Sequence, residues 1–175
     1  DLKKISQLKT PQTALEVFKI PKQEALRPQG LVVALDGERD PGNLGTIIRL
    51  CDWFGVQSLI CSPDTADAFN PKVVQASMGS LTRVEVVYRD LAEFIGNHNN
   101  LPVFGAFMDG ENIYHKTLPS EGILVMGNEA NGISDKIEKL ITQRSGIPRF
   151  GDANQTESLN VATATAILLS EFKRR

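Results

Sequence analysis

From Leu31 onward, short apolar runs alternate with stretches in which apolar residues recur every three or four positions. The runs LVVAL (31–35), SLIC (58–61), RVEVVY (83–88), VFGAFM (103–108), ILVMG (123–127) and SGIP (145–148) have the length and texture of strands and predict six of them. Between them the helical spacing predicts helices near 43–54, 71–79, 90–97 and 134–142, followed by a terminal helix over 158–173. Strand and helix alternate, which argues for an α/β fold with a mainly parallel six-stranded sheet and helices on both faces. Ala162, Ala164 and Ala166 keep the terminal helix thin while Val161, Ile167, Leu168 and Phe172 give it apolar surface, so it is expected to lie buried against the sheet.

Residues 1–30 differ in kind. Pro11, Pro21 and Pro28 break them into short pieces, and they hold six basic residues against three acidic ones. They read as a linker or the tail of a missing N-terminal domain, which leaves 31–175 as one domain; the Asp1 start fits an excised fragment. Over the whole chain of 175 residues, 41% hydrophobic and 23% charged, composition is ordinary for a globular protein and excludes a disordered or disulfide-rich chain. The net charge of −2 gives no global positive field, so any nucleic-acid site must be local. No apolar run nears the roughly 18 residues of a membrane span and no signal segment opens the chain, which together predict a cytoplasmic protein. Cys51 and Cys61 lack metal-ligand spacing, so no metal is expected and both read as buried, reduced thiols.

In open parallel sheets ligands bind beyond the carboxyl ends of the strands. Three of the loops leaving those ends are unusual, and all three leave the same edge. The first is DGERDPGNLGTIIR (36–49), where Asn43 is expected to cap a helix starting at Leu44, and where Gly45 and Arg49 share a face that a ligand could approach. The second, Gly127-Asn128-Glu129-Ala130-Asn131-Gly132, sets two glycines and two asparagines around one carboxylate. Its G-x-x-x-x-G spacing lacks the Lys-Ser/Thr of a phosphate loop, and no G-x-G-x-x-G is present. The third runs from Ile147-Pro148 through RFGDANQTE to Ser158-Leu159-Asn160 and a helix N-terminus suited to an anionic group.

Taken together, these segments resemble the SpoU, or TrmH-like, branch of the SPOUT RNA methyltransferases over residues 31–175. The family's first motif matches Asn43, Gly45 and Arg49, its second Gly127, Glu129 and Gly132, and its third Ile147, Pro148 and Ser158 to Val161. Arg149 stands where the family usually has Met, and the stretch 151–157 is a few residues longer than usual; both bear on substrate fit. The resemblance implies a C-terminal deep trefoil knot and S-adenosylmethionine bound by the knotted loops. The cofactor-binding residues would be Gly127, Glu129, Gly132, Ile147, Ser158, Leu159 and Asn160, with backbone groups around Gly127, Ile147 and Leu159 meeting the adenosine. It also implies methylation of a ribose 2′-hydroxyl in rRNA or tRNA, a homodimer, and an N-terminal L30e-like RNA-binding domain.

Within that reading Arg49, Asn43, Glu129, Ser158 and Asn160 are the catalytic candidates. A guanidinium gives up its proton only above about pH 12 and is a poor base. Arg49 is therefore expected to stabilise the developing alkoxide, with proton removal as the alternative. Asn43 would position Arg49 or the ribose, Glu129 would hold Asn43, Arg49 or a substrate hydroxyl, and Ser158 and Asn160 would close the cofactor pocket. Two other classes remain: a non-catalytic RNA-binding module of the same fold, and an α/β enzyme using another nucleotide. His98 and His115 read as solvated, and Trp53-Phe54 as core or dimer surface.

Overall fold

The computed structural model of the protein describes residues 28–151 and 158–174, together with Lys4, Thr13–Ala14 and Val17–Ile20. The linker expected over 1–30 lies for the most part outside the described residues. Six strands, β1 (Leu31–Asp36), β2 (Ser58–Cys61), β3 (Glu85–Tyr88), β4 (Val103–Asn112), β5 (Gly122–Gly127) and β6 (Gln143–Gly146), form one sheet in the order β3-β2-β1-β5-β4-β6. Every pairing is parallel. β1 pairs with β5 along its whole length, from Leu31 opposite Gly122 to Asp36 opposite Gly127, so the first and second loops emerge side by side.

The near-continuous apolar texture of β1 and β5 follows from burial on both faces. Leu31, Val33 and Leu35, with Leu124 and Met126, point to one face. They pack there with Leu44, Ile47 and Ile48 of α1 (Pro41–Trp53), Val73 of α2 (Pro71–Ser77), and Leu168, Leu169 and Phe172 of α5 (Val161–Lys173). Val32, Ala34, Ile123 and Val125 point to the other, against Leu91, Phe94 and Ile95 of α3 (Leu91–Asn97) and Ile137 of α4 (Asp135–Glu138). Each fully buried Leu or Ile contributes about 1.5–3 kcal/mol, so these two layers hold the strand ends, and the loops leaving them, in place.

The structure corrects several expectations. Asp40, not Asn43, caps α1: its side chain accepts from the Asn43 amide, and Pro41 occupies the first turn, where its missing N–H costs nothing. Gly45 is not open to a ligand, because α2 occupies that face; a Cβ there would lie 2.5 Å from Ala76 Cβ and 2.9 Å from the Val73 carbonyl oxygen. The fourth helix is one turn, Asp135–Glu138, since the chain must reach the Thr142 amide bond to Val103 O that opens the β6 ladder. β6 ends at Gly146, ahead of Pro148, which has no N–H for a ladder. α5 starts at Val161, three residues later than expected, because Asn160 is the cap.

β4 is longer than its apolar run. Past Ala106 its register against β6 shifts, and Gly110 passes so close to β6 that a Cβ would sit 2.4 Å from the Ser145 carbonyl carbon. The Arg144 guanidinium, 3.6 Å from the Phe107 ring centroid and 2.7 Å from Asp109, closes that crossing from outside. The knotted threading implied for the C-terminal segment involves residues 152–157, outside the described residues.

Candidate active site

The cap at Asp40 decides what Asn43 does. With its backbone amide held by Asp40 Oδ1 at 2.8 Å, the Asn43 side chain is released from capping and turns to the neighbouring loops. Asn43 Nδ2 donates to Glu129 Oε1 at 3.3 Å. Asn160 Nδ2 donates to the same oxygen at 2.6 Å and to Asn43 Oδ1 at 2.9 Å. The other end of Asn160 caps α5, its Oδ1 accepting from the Ala162 and Thr163 amides at 3.0 and 3.2 Å. Val161 N adds a longer contact to Glu129 Oε1 at 3.4 Å, which places a carboxylate at the positive end of α5. One side chain from each loop thus meets at a single oxygen.

The second loop is built to present that oxygen. Asn128 Oδ1 accepts from the Ala130 and Asn131 amides at 2.9 and 2.8 Å, an Asx turn. Asn128 and Gly132 exchange backbone bonds in both directions, with Gly132 at φ +68. Gly127 is required by close approach: a Cβ would lie 2.1 Å from the Gly132 carbonyl carbon. Asp36 Oδ2, at the end of β1, accepts the Ser134 amide at 2.7 Å and ties the loop's far end to the first motif.

Of the candidate residues, the structure brings Asn43, Glu129 and Asn160 into contact, with Gly127 and Gly132 framing the loop between them. Ser158 and Leu159 are exposed immediately before the α5 cap, Leu159 by 47%, and Ile147 is half-buried against the core. Arg49 stands apart. It is exposed on the outer face of α1, about 9 Å along the axis from Asn43. Among the described residues it makes no hydrogen bond or ion pair, so neither Asn43 nor Glu129 holds it in this structure.

Four contributors were missed in the residue pattern: Asp36, Glu38, Asp40 and Asn128. Asp40 was legible, since Asp followed by Pro is an N-cap and N1 pair. Asp36 and Glu38 had no local signal. Glu38 is 3% exposed, its Oε1 accepts the Asp40 amide at 2.7 Å, and its Oε2 is buried with no hydrogen-bond partner. Burial pushes this carboxyl above the usual range; the Asp40 amide and the Asn43 side chain oppose the shift, and the charge of Glu129 adds to it.

The remaining candidates lie elsewhere. His98 is not simply solvated: it is half-buried, its Nδ1 lies 2.7 Å from Phe94 O, and its ring stacks on Phe94. His115 is exposed. Trp53 is 84% exposed and so is not core, whereas Phe54 packs against it. Burial pushes the Cys51 thiol up to about 12, and Cys61 likewise upward. No group of three or more metal-ligating side chains occurs among the described residues, and no described helix is long and apolar enough to cross a membrane.

A parallel α/β sheet whose first, fifth and sixth strands send motif loops into one polar cluster defines a class, and comparison with known proteins identifies it. Residues 30–170 match the sequence model of the SpoU rRNA methylase family, and the chain belongs to that family. It is 33% identical over 172 residues, 97% of its length and 68% of the relative's, to the 23S rRNA (guanosine(2553)-2'-O)-methyltransferase RlmP of Bacillus subtilis. Among solved structures, a Porphyromonas gingivalis chain described as a TrmH-family RNA methyltransferase superposes with a TM-score of 0.91 at 45% identity, covering 100% of this chain and 71% of that one. An AdoMet-bound rRNA methyltransferase from Sinorhizobium meliloti gives 0.77 at 34% identity, covering 85% and 58%. The chain spans 53% to 68% of the curated relatives it matches.

Proposed function

We propose that this chain is the catalytic domain of an S-adenosylmethionine-dependent methyltransferase acting on the ribose 2′-hydroxyl of rRNA or tRNA. The observation that carries the reading is the convergence of Asn43, Glu129 and Asn160, one from each family motif, on Glu129 Oε1. Relatives 31% to 33% identical to this chain are named for 2'-O-methylation of 23S rRNA, and a structural neighbour holds AdoMet.

The residues suit that cofactor. The hydrogen-bonded cluster carries a single formal charge, the Glu129 carboxylate, which favours a cation such as a sulfonium over an anionic nucleotide. Beside it lie the exposed apolar side chain of Leu159 and the open space at Gly132, where nothing stands within 4 Å of a Cβ position. Backbone groups at Gly127, Ile147 and Leu159 would hold the adenosine, with Gly132, Ser158 and Asn160 closing around the rest. When bound, the cofactor supplies an already activated methyl group, so the protein's work is alignment and charge management.

Glu129 fixes Asn43 and Asn160, and through them the relative position of α1 and α5. Arg49, free of internal partners, is available to the substrate: it would stabilise the 2′-oxygen as its proton leaves and clamp the neighbouring phosphate. Residues 1–30 would connect to a separate RNA-binding domain, in keeping with the greater length of the relatives. The exposed Trp53 at the end of α1 supports a homodimer, which light scattering at tens of micromolar would detect as twice the chain mass. The proposed rRNA or tRNA substrate and the bacterial relatives support a cytoplasmic enzyme. Isothermal calorimetry with S-adenosylmethionine tests the reading: saturable one-site binding supports it, and a well-folded chain that binds none leaves the non-catalytic RNA-binding module.

A further inference from the structure

This inference rests on the proposed methyl transfer, which leaves the proton of the 2′-hydroxyl without a destination. Arg49 does not take it, because a guanidinium keeps its own proton below about pH 12. Neither histidine lies on the three loops. Among the described residues around those loops, most carboxyls are already committed. Asp36 Oδ2 accepts the Ser134 amide, and Asp40 Oδ1 caps α1 at the Asn43 amide. Asp64 is held by the Ser62 hydroxyl on one oxygen and paired with Arg39 on the other. Glu38 is 3% exposed, which shuts its carboxyl away from a ligand.

Glu129 differs. Its Oε1 takes Asn43 Nδ2, Asn160 Nδ2 and the Val161 amide at 3.3, 2.6 and 3.4 Å. Its Oε2 has no hydrogen-bond partner and no paired cation among the described residues, and the residue is exposed. Three donors on one oxygen hold the carboxylate against the N-terminal ends of α1 and α5 and leave the other oxygen as an acceptor for a ligand. We propose that Glu129 is the general base of the reaction, its Oε2 taking the proton of the 2′-hydroxyl while Arg49 stabilises the oxygen. The step balances. The O–H bond breaks and the proton goes to Oε2; an oxygen electron pair forms the O–CH₃ bond; the C–S bond to that methyl breaks and its pair stays on sulfur. A carboxylate and a sulfonium become a carboxylic acid and a neutral thioether, and water then recovers the proton from the exposed Glu129. The two oxygens thus divide the work, Oε1 holding the loops together and Oε2 moving the proton.

The test is single-turnover kinetics of the complete protein with RNA and saturating S-adenosylmethionine, from about pH 5 to about pH 9. The wild-type rate should rise with pH through one ionisation to a plateau. Glu129→Gln keeps an oxygen for Asn43 and Asn160, so calorimetry should still show cofactor binding. Its rate should fall by about 10² to 10⁴ and climb with hydroxide throughout, with no plateau. Arg49→Ala should lower the plateau and keep the ionisation. Added acetate should restore rate to Glu129→Ala better than fluoroacetate, which is nearly the same size and less basic. A Glu129→Gln variant with the wild-type rate or the wild-type ionisation overturns the inference, as does a rescue indifferent to basicity. Ribose methylation undiminished in Glu129→Gln removes this inference alone and leaves the functional reading standing. A wild type that binds no cofactor, or methylates no ribose, overturns both.

Discussion

Asn160 donates to Glu129 Oε1 at 2.6 Å across 31 residues of chain, while its own carbonyl oxygen caps α5. A single side chain thereby couples the start of the terminal helix to the glycine loop after β5. The same Glu129 oxygen takes Asn43, so α1 and α5, which pack on one face of the sheet, are also joined at their N-terminal ends.

The charge of Glu129 and its hydrogen bonds should separate experimentally. Glu129→Gln keeps an oxygen able to accept from Asn43 and Asn160 but removes the negative charge. It should weaken S-adenosylmethionine, a sulfonium, by about fivefold more than S-adenosylhomocysteine, whose thioether sulfur is neutral, the roughly 1 kcal/mol of a solvent-exposed charge pair. Glu129→Ala should weaken both ligands. Equal losses for the two ligands in Glu129→Gln would show that the charge does not face the sulfonium.

Arg49 makes no contact with the cluster, so binding and turnover should part company there. In the complete protein Arg49→Ala should leave cofactor affinity at the wild-type level and lower the rate of methyl transfer by about 10² to 10³. Arg49→Lys keeps the charge but not the planar fork and should remain strongly impaired. Single-turnover kinetics beside calorimetry reads both quantities.

Gly45 is a packing residue, and its substitution should show as stability. In an isolated helix Gly to Ala would gain about 1 kcal/mol. Here the new Cβ would meet Ala76 Cβ at 2.5 Å and Val73 O at 2.9 Å, forcing α1 and α2 apart. Gly45→Ala should destabilise the chain by about 1–3 kcal/mol in urea unfolding, the ordinary cost of overpacking.

Cys51 and Cys61 should be inert. Both are buried, and at neutral pH neither offers a thiolate. A thiol reagent should label neither in the folded chain and both in denaturant; rapid labelling of the native state would contradict the buried placement.

The strands were legible because β1, β2 and β5 are apolar on both faces, and the loops because glycine, asparagine and proline mark turns at fixed spacing. What escaped was tertiary. Asn43 and Asp40 are equally good capping types, and only Pro41 at the first helical position separates them. The role of Gly45 depends on Ala76 and Val73, some thirty residues away. Glu38 reads as one more polar loop residue until the fold buries it. Arg49 enters as a catalytic candidate through the family resemblance, with Asn43 positioning it or the ribose; a helix carries residue i+6 onto a different face from residue i, which keeps Arg49 off Asn43 in this structure.

The central claim is transfer of a methyl group to a ribose oxygen. The direct measurement is to incubate the complete protein with methyl-labelled S-adenosylmethionine and unmodified rRNA or tRNA, digest the RNA, and identify the labelled nucleoside by mass spectrometry. The account predicts label on the ribose of a 2′-O-methylated nucleoside, lost in Arg49→Ala. Label on a base, or transfer undiminished in Arg49→Ala, would contradict it.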